Sequence, residues 1–256
     1  MQPELPIAIV SAMHQELRAL MPLLRDPLSV ELAGRTFHQG TIHGHPVVLV
    51  LSGIGKVAAS ITTVLLLHEF HVRKLVFTGV AGGLARGVRV GDVVVAEQLL
   101  QHDMDASPLF PRFEIPLTGR SRFATHSRLA DELSAAAGRC LDHADAYVGS
   151  QHLLDFAIDT PLLHRGLIAS GDRFVSSEAE SDALRVALPD ALAVEMEGAA
   201  VAQACADFER PFVVLRTISD RADDTAHVDF GRFIDEVASV YTRVIVEDWL
   251  RHTVRA

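Results

Sequence analysis

The chain has 256 residues, 49% of them hydrophobic and 22% charged, with a net charge of −10. That is ordinary globular composition and enough chain for one large core, so a single domain spanning 1–256 is expected. The acidic balance sets aside a surface built to neutralise phosphates, and with it a nucleic-acid partner. The two cysteines, Cys140 and Cys205, stand far apart without CxxC spacing. Neither a disulfide framework nor a zinc site is expected, and a reducing cytoplasm fits. No basic leader with an apolar stretch opens the chain, and no run of ~18 apolar residues follows. The sequence therefore predicts neither export nor a membrane span.

In chain order, short runs rich in Val, Ile and Leu predict strands at 7–10, 47–51, 75–77, 93–96, 167–169, 193–194 and 212–218. Between them, apolar residues at helical period predict helices at 13–24, 57–70, 129–137, 181–188, 198–208 and 233–249. Uninterrupted apolar strands belong to a sheet buried on both faces, so the expected class is α/β with a parallel or mixed sheet between helices. Residues 106–122 break the pattern with Pro108, Pro111, Pro116 and Gly119 and read as a long loop, a kind that tends to serve function. The polar stretch 221–229 reads as a second loop.

In open α/β sheets ligands bind beyond the carboxyl ends of strands. Here those ends are polar: Ser11-Ala12-Met13-His14-Gln15-Glu16, Ser52-Gly53-Ile54-Gly55-Lys56, Thr78-Gly79-Val80-Ala81-Gly82-Gly83, Glu195-Met196-Glu197-Gly198 and Arg216-Thr217-Ile218-Ser219-Asp220. Alone, a Gly-rich turn needs only backbone geometry to explain it, and Glu16 fits a solvated first turn. Gly53-Ile54-Gly55-Lys56 fails the phosphate-loop pattern, because residues 50 and 57 are both Val. His102-Asp103-Met104-Asp105 lacks a second cluster at metal-ligand spacing, so no metal is expected. Glu195 and Glu197 are harder to set aside: they follow an apolar strand and precede an Ala-rich helix, where a buried carboxylate is costly without a partner. Arg216 and Asp220 close another apolar strand. They form either a structural ion pair or a contact to a polar ligand, and the strand-end pattern favours the ligand.

These motifs, with Gly91-Asp92-Val93-Val94 and Ser170-Gly171-Asp172-Arg173-Phe174, resemble those of the 5′-methylthioadenosine/S-adenosylhomocysteine nucleosidases of the nucleoside phosphorylase and hydrolase superfamily. The resemblance spans nearly the whole chain. It implies a central twisted mixed β-sheet flanked by helices, a homodimer, no cofactor, and hydrolysis of the N-glycosidic bond of an adenine nucleoside in methionine and methyl-donor salvage. By the same resemblance, Asp220 is the general acid toward N7 of adenine, Glu16 activates the attacking water, and Glu197 holds the ribose hydroxyls and favours the cationic sugar. Phe174 stacks on adenine and the backbone of Val175 reads its edge. Met13, Ile54, Met196 and Phe233 line the ribose and 5′-substituent region. Arg216 helps place the water, Ser219 orients Asp220, and Leu109 reaches the neighbouring subunit's site. The chain departs from the family at Val80, where many members carry a Ser that helps hold the water, and in the loop from His102 to Pro116.

Three other readings compete. A purine nucleoside phosphorylase shares the fold, but its phosphate would meet Glu16 and no obvious clamp. An aminodeoxyfutalosine nucleosidase acts on an adenine nucleoside with a bulkier 5′-extension, which the unusual loop leaves open. A silent nucleoside-binding module would not need an acid and a base together.

Overall fold

The computed structural model describes residues 4–222 and 229–254. Its centre is β1 (Ile7–Ser11), buried along its whole length between two parallel neighbours, β4 (His45–Leu51) and β5 (Lys74–Thr78). Successive side chains of a strand point to opposite faces. Ile7 and Ile9 therefore enter one core layer with α1 (His14–Leu20), α3 (Ser127–Leu141) and α9 (Ser239–His252), while Ala8 and Val10 enter another with α2 (Lys56–His68) and α7 (Gly198–Asp207). Both faces are thus covered, as the unbroken apolar strands require. The architecture is the expected mixed α/β sheet.

Five further strands close on themselves beside this sheet: β6 (Val80–Gly83), β7 (Val93–Gln101), β9 (Leu163–Ser170), β10 (Ala191–Glu195) and β11 (Phe212–Asp220). The start of β11 pairs with β5; further along it pairs with β6 on one side and β7 on the other. β6 then pairs with β10, β10 with β9 and β9 with β7. β11 is therefore shared by the open sheet and the ring, and its far end is carried inward. A two-residue strand, β8 (Phe123–Ala124), adds to the edge of β7.

An antiparallel meander forms the opposite edge, where β2 (Arg25–Leu32) and β3 (Arg35–Ile42), neither predicted from the sequence, lead into the predicted β4. Its two tight turns place Ala33-Gly34 and His43-Gly44 at positive φ, the geometry that matches strand twist in a two-residue hairpin. β2 is largely exposed and irregular between Arg25 and Leu28, around Pro27. Proline and a bulge are what an edge strand tolerates. The predicted helices all form, with adjusted ends. The helix predicted at 181 starts at Glu178 in α6 (Glu178–Ala187), because Ser177 caps it by accepting from the Glu180 N–H at 3.4 Å. The C-terminal helix starts with α8 (Phe230–Phe233) and passes through a π-turn over Ile234–Ala238 before α9. Two short helices, α4 (Ala144–Val148) and α5 (Ser150–Asp155), are additional. Residues 106–122 contain no helix or strand, and most of the loop predicted at 221–229 lies outside the described residues.

Among the described residues, no helix is long and apolar enough to cross a membrane, and no group of three His, Cys, Asp or Glu side chains could hold a metal. Cys140 and Cys205 are free and buried.

Candidate active site

A cavity of about 190 Å³ opens where the ring meets β1. Its wall comes from seven places in the chain: Ala12 and Met13 after β1, Ile54 before α2, Val80 to Gly82 of β6, Arg173 to Val175 after β9, Val194 to Glu197 around the end of β10, Ser219 and Asp220 of β11, and Phe230 of α8. The wall is mostly apolar, with carboxylates at two strand ends. Phe174 and Phe230 meet edge to face across it, 6.4 Å between ring centres.

Asp220 is held at both carboxylate oxygens. Oδ1 accepts from the Ala222 N–H at 2.7 Å and Oδ2 from the Ser219 hydroxyl at 2.8 Å. It can sit this close to β6 only because residue 82 is glycine: a Cβ there would stand 2.9 Å from Asp220 Oδ1 and 2.8 Å from Ala222 Cβ. Glu197 is buried, and its Oε1 accepts from the Gly55 N–H at 2.9 Å. Loss of solvent, then the nearby Glu195, pushes its carboxyl up to about 7.

Glu16 lies behind the wall formed by Ala12 and Met13 and is fully buried. Oε2 accepts from the Met13 N–H at 3.2 Å, half of a capping box at the start of α1, and Oε1 accepts from the Thr242 hydroxyl of α9 at 2.8 Å. Burial raises its pKa, while Thr242, Arg216 and the backbone donors pull it back. The sequence reading misses Thr242. It stands 226 residues away on a helix whose amphipathic pattern explains it as an ordinary core position.

Arg216 does not join the wall. Its guanidinium is fully buried, donates to Glu195 Oε2 at 2.5 and 3.2 Å and lies over the Phe77 ring at 4.0 Å. Of the two alternatives the sequence left open for Arg216, the geometry is that of the ion pair. Glu195 spends its remaining acceptors on the N–H groups of Gly198 and Glu197 and on the Ser170 hydroxyl. A buried charge pair survives only when so fully satisfied. This one fixes the end of β10 from which Glu197 projects.

Two other expected positions differ. Phe233 is in the core, edge to face with Phe156 at 5.3 Å, and the wall position is taken by Phe230, one turn earlier. Leu109 is 83% exposed and lines no part of its own chain's cavity. Met13, Ile54, Val80, Phe174, Val175, Met196, Ser219, Glu197 and Asp220 do converge on it. Asp103, weighed in sequence as a metal ligand, is instead bonded by Lys56 Nζ at 2.6 Å.

The matched family model is that of the phosphorylase superfamily, over residues 6–248. A 5′-methylthioadenosine/S-adenosylhomocysteine nucleosidase from Colwellia psychrerythraea is 38% identical over 231 residues, 90% of this chain and 89% of that one. The solved structure of the Neisseria meningitidis enzyme of the same name, in complex with methylthio-immucillin-A, superposes with a TM-score of 0.84 at 32% identity, covering 97% of this chain and 100% of that one. The native futalosine hydrolase of Helicobacter pylori superposes with a TM-score of 0.81 at 34% identity, covering 95% and 96%. The chain thus shares its α/β fold with nucleoside-cleaving members of that superfamily. The chain belongs to the 5′-methylthioadenosine/S-adenosylhomocysteine nucleosidase family.

Proposed function

We propose that this protein is a hydrolase that cleaves the N-glycosidic bond of 5′-methylthioadenosine, S-adenosylhomocysteine or both, releasing adenine and the 5-thioribose product. The observation that carries the reading is the convergence of Glu197 and Asp220 on one apolar cavity with Glu16 directly behind its wall. Asp220 protonates N7 of adenine as the bond from C1′ to the base breaks, so the base leaves neutral. The Ala222 N–H on Oδ1 and the Ser219 hydroxyl on Oδ2 orient this carboxyl. Glu197, as a carboxylate, holds the ribose hydroxyls and favours the positive charge that develops on the sugar. Water attacks C1′ and gives its proton to Glu16, whose buried, raised-pKa carboxylate is a better base than an exposed one.

Phe174 stacks on adenine, the Val175 backbone reads its edge, and Met13, Ile54 and Met196 enclose the sugar and its 5′-substituent. An apolar wall suits a thioether better than a free hydroxyl or phosphate, whose burial without partners is costly. Arg216 acts on the water only through charge, from behind Gly79, since Glu195 occupies its guanidinium. The same ion pair argues against phosphorolysis, because it removes a buried cation that could have clamped phosphate. The likeness to futalosine hydrolase favours a second reading, cleavage of aminodeoxyfutalosine at the same site.

The partner is a small adenine nucleoside rather than nucleic acid. Two free, buried cysteines suit a reducing cytoplasm, and the substrates place the reaction in methionine and methyl-donor salvage. An exposed apolar stripe on α2 supports a homodimer, with Leu109 reaching the partner's site. The test is adenine release from methylthioadenosine, adenosylhomocysteine, aminodeoxyfutalosine and adenosine, with and without phosphate. Phosphate-independent release with free sugar is expected; a sugar 1-phosphate would mean a phosphorylase, and no release a silent binder.

A further inference from the structure

Glu197 owes its position to a single donor from outside its own strand end, the Gly55 N–H. Gly55 is the N-cap of α2, at φ +87°, and has no side chain with which to cap the helix. The cap comes from elsewhere: Asp172 Oδ1 accepts from the Lys56 N–H at 2.7 Å. It occupies the space a side chain at residue 55 would need, since a Cβ there would lie 3.0 Å from that oxygen. The adjacent N–H groups of residues 55 and 56 thus hold two carboxylates at the positive end of a 13-residue helix, one belonging to the cavity and one not.

Asp172 is itself tied. Its N–H donates to Asp103 Oδ2 at 2.9 Å, and Asp103 Oδ1 accepts from Lys56 Nζ at 2.6 Å, returning the bonds to the residue at which they began. Lys56 Nζ also donates to Gln101 at 3.0 Å. The closed circuit joins the segments that follow β4, β7 and β9. One of these carries Gly55, and another continues from Asp172 straight into Phe174 and Val175.

We infer that Lys56, Asp103 and Asp172 form a clasp that positions Glu197 by fixing the Gly55 N–H, and sets the ribose carboxylate and the base-binding loop as one unit. None of the three is a catalytic residue; each acts through the Gly55 peptide. The inference rests on the proposed roles of Glu197 and Phe174. A donor held firmly on a carboxylate favours its charged form, while Glu195, Arg216 and burial act on Glu197 independently of the clasp. Loosening the clasp therefore makes Glu197 harder to ionise.

Two measurements test this. In the first, the unaltered chain must release adenine from methylthioadenosine; then Asp172→Ala should lower kcat/KM about tenfold and move its acid limb at least roughly half a pH unit upward. Asp172→Asn, which keeps an acceptor for the Lys56 N–H, should recover most of both. Lys56→Met and Asp103→Ala should shift the limb the same way, and the double variant no further than either alone, because both break one circuit. The second needs no substrate. Thermal stability is followed against pH for the unaltered chain, Glu197→Gln, Asp172→Ala and the double variant; the gain from Glu197→Gln should keep growing to higher pH, and level off at a larger value, in the Asp172→Ala background. An unmoved acid limb, additive Lys56 and Asp103 effects, or an unchanged stability cycle overturns the clasp. A failure of adenine release with a shifted stability cycle overturns the reaction and leaves the clasp standing.

Discussion

At the scale of single residues, the carboxylates decide both what the site can do and what it costs. Folded Glu197 keeps its proton up to about pH 7, whereas in an unfolded chain it is lost near its ordinary 4.5. The folded state thus binds more protons within that window, and stability falls as pH rises through it, levelling off above pH 7. Glu197→Gln removes the penalty, on the order of 3 kcal/mol, and should melt several degrees higher at pH 8 while converging on the parent near pH 4.5. Thermal denaturation across pH reads the difference, and a constant offset would show that ionisation is not its source. Activity should move oppositely, with kcat/KM decreasing below about pH 7 as Glu197 takes up its proton. Asp220→Asn should cut kcat by about 10²- to 10⁴-fold with modest loss of nucleoside binding, because proton donation occurs in the transition state. Calorimetric titration beside turnover separates the two, and equal loss in both would rule out an acid. The strand-end carboxylates were legible in the sequence because apolar runs mark where strands stop. The Arg216–Glu195 pair and the Thr242 bond were not, since 21 and 226 residues of separation say nothing about register across a ring.

Among the elements, β6 shows how tightly the cavity depends on backbone proximity. Val80-Ala81-Gly82-Gly83 is pressed between β10 and β11, with Gly82 opposite both Val194 and Asp220. Such a sequence has neither the apolar run nor the β-branched content that announces a strand, and the sequence reading saw only a Gly-rich turn. The smallness that hides it is what lets Asp220 approach. Gly82→Ala should keep the fold's circular dichroism but displace Asp220 and cost about 10²-fold in kcat/KM, since misplacing a reacting group by an ångström is enough. Retained activity would show that Ala222 moves aside instead. Val80, at the other end of the strand, offers no hydroxyl to the cavity, and Val80→Ser should raise the hydrolytic rate if the water lacks a partner there. The β2–β3 hairpin was hidden for a different reason: its turn is Ala-Gly, and the next turn, into β4, is His-Gly, rather than Asn-Gly, and β2 is polar because it lies at the edge.

At the scale of the whole molecule, the cavity's rim continues into an exposed apolar stripe. Ile54 is 72% exposed, and on α2 Val57, Ile61 and Val64 are 71, 44 and 39% exposed, at the i, i+4, i+7 spacing of one helix face. Isolated exposed apolar residues need no explanation, but a contiguous row beside a site is the pattern of a surface that is covered in use. A second copy of the chain would cover it, consistent with the dimer expected from sequence, and a closed dimer would join the same patch on both subunits. Sedimentation at micromolar concentration should therefore give twice the chain mass. Ile61→Lys should shift the species toward the monomer by placing unpaired charge in the contact, whereas Val186→Lys, at an equally apolar but separate position on α6 that is 85% exposed, should not. A chain that sediments as a monomer before any substitution would remove the partner and leave Leu109 without a site to reach. If the dimer forms, adenine release by Ile61→Lys decides whether the neighbouring subunit completes the cavity: unchanged turnover in the monomer means each chain's cavity suffices, and a loss that returns at high protein concentration means it does not.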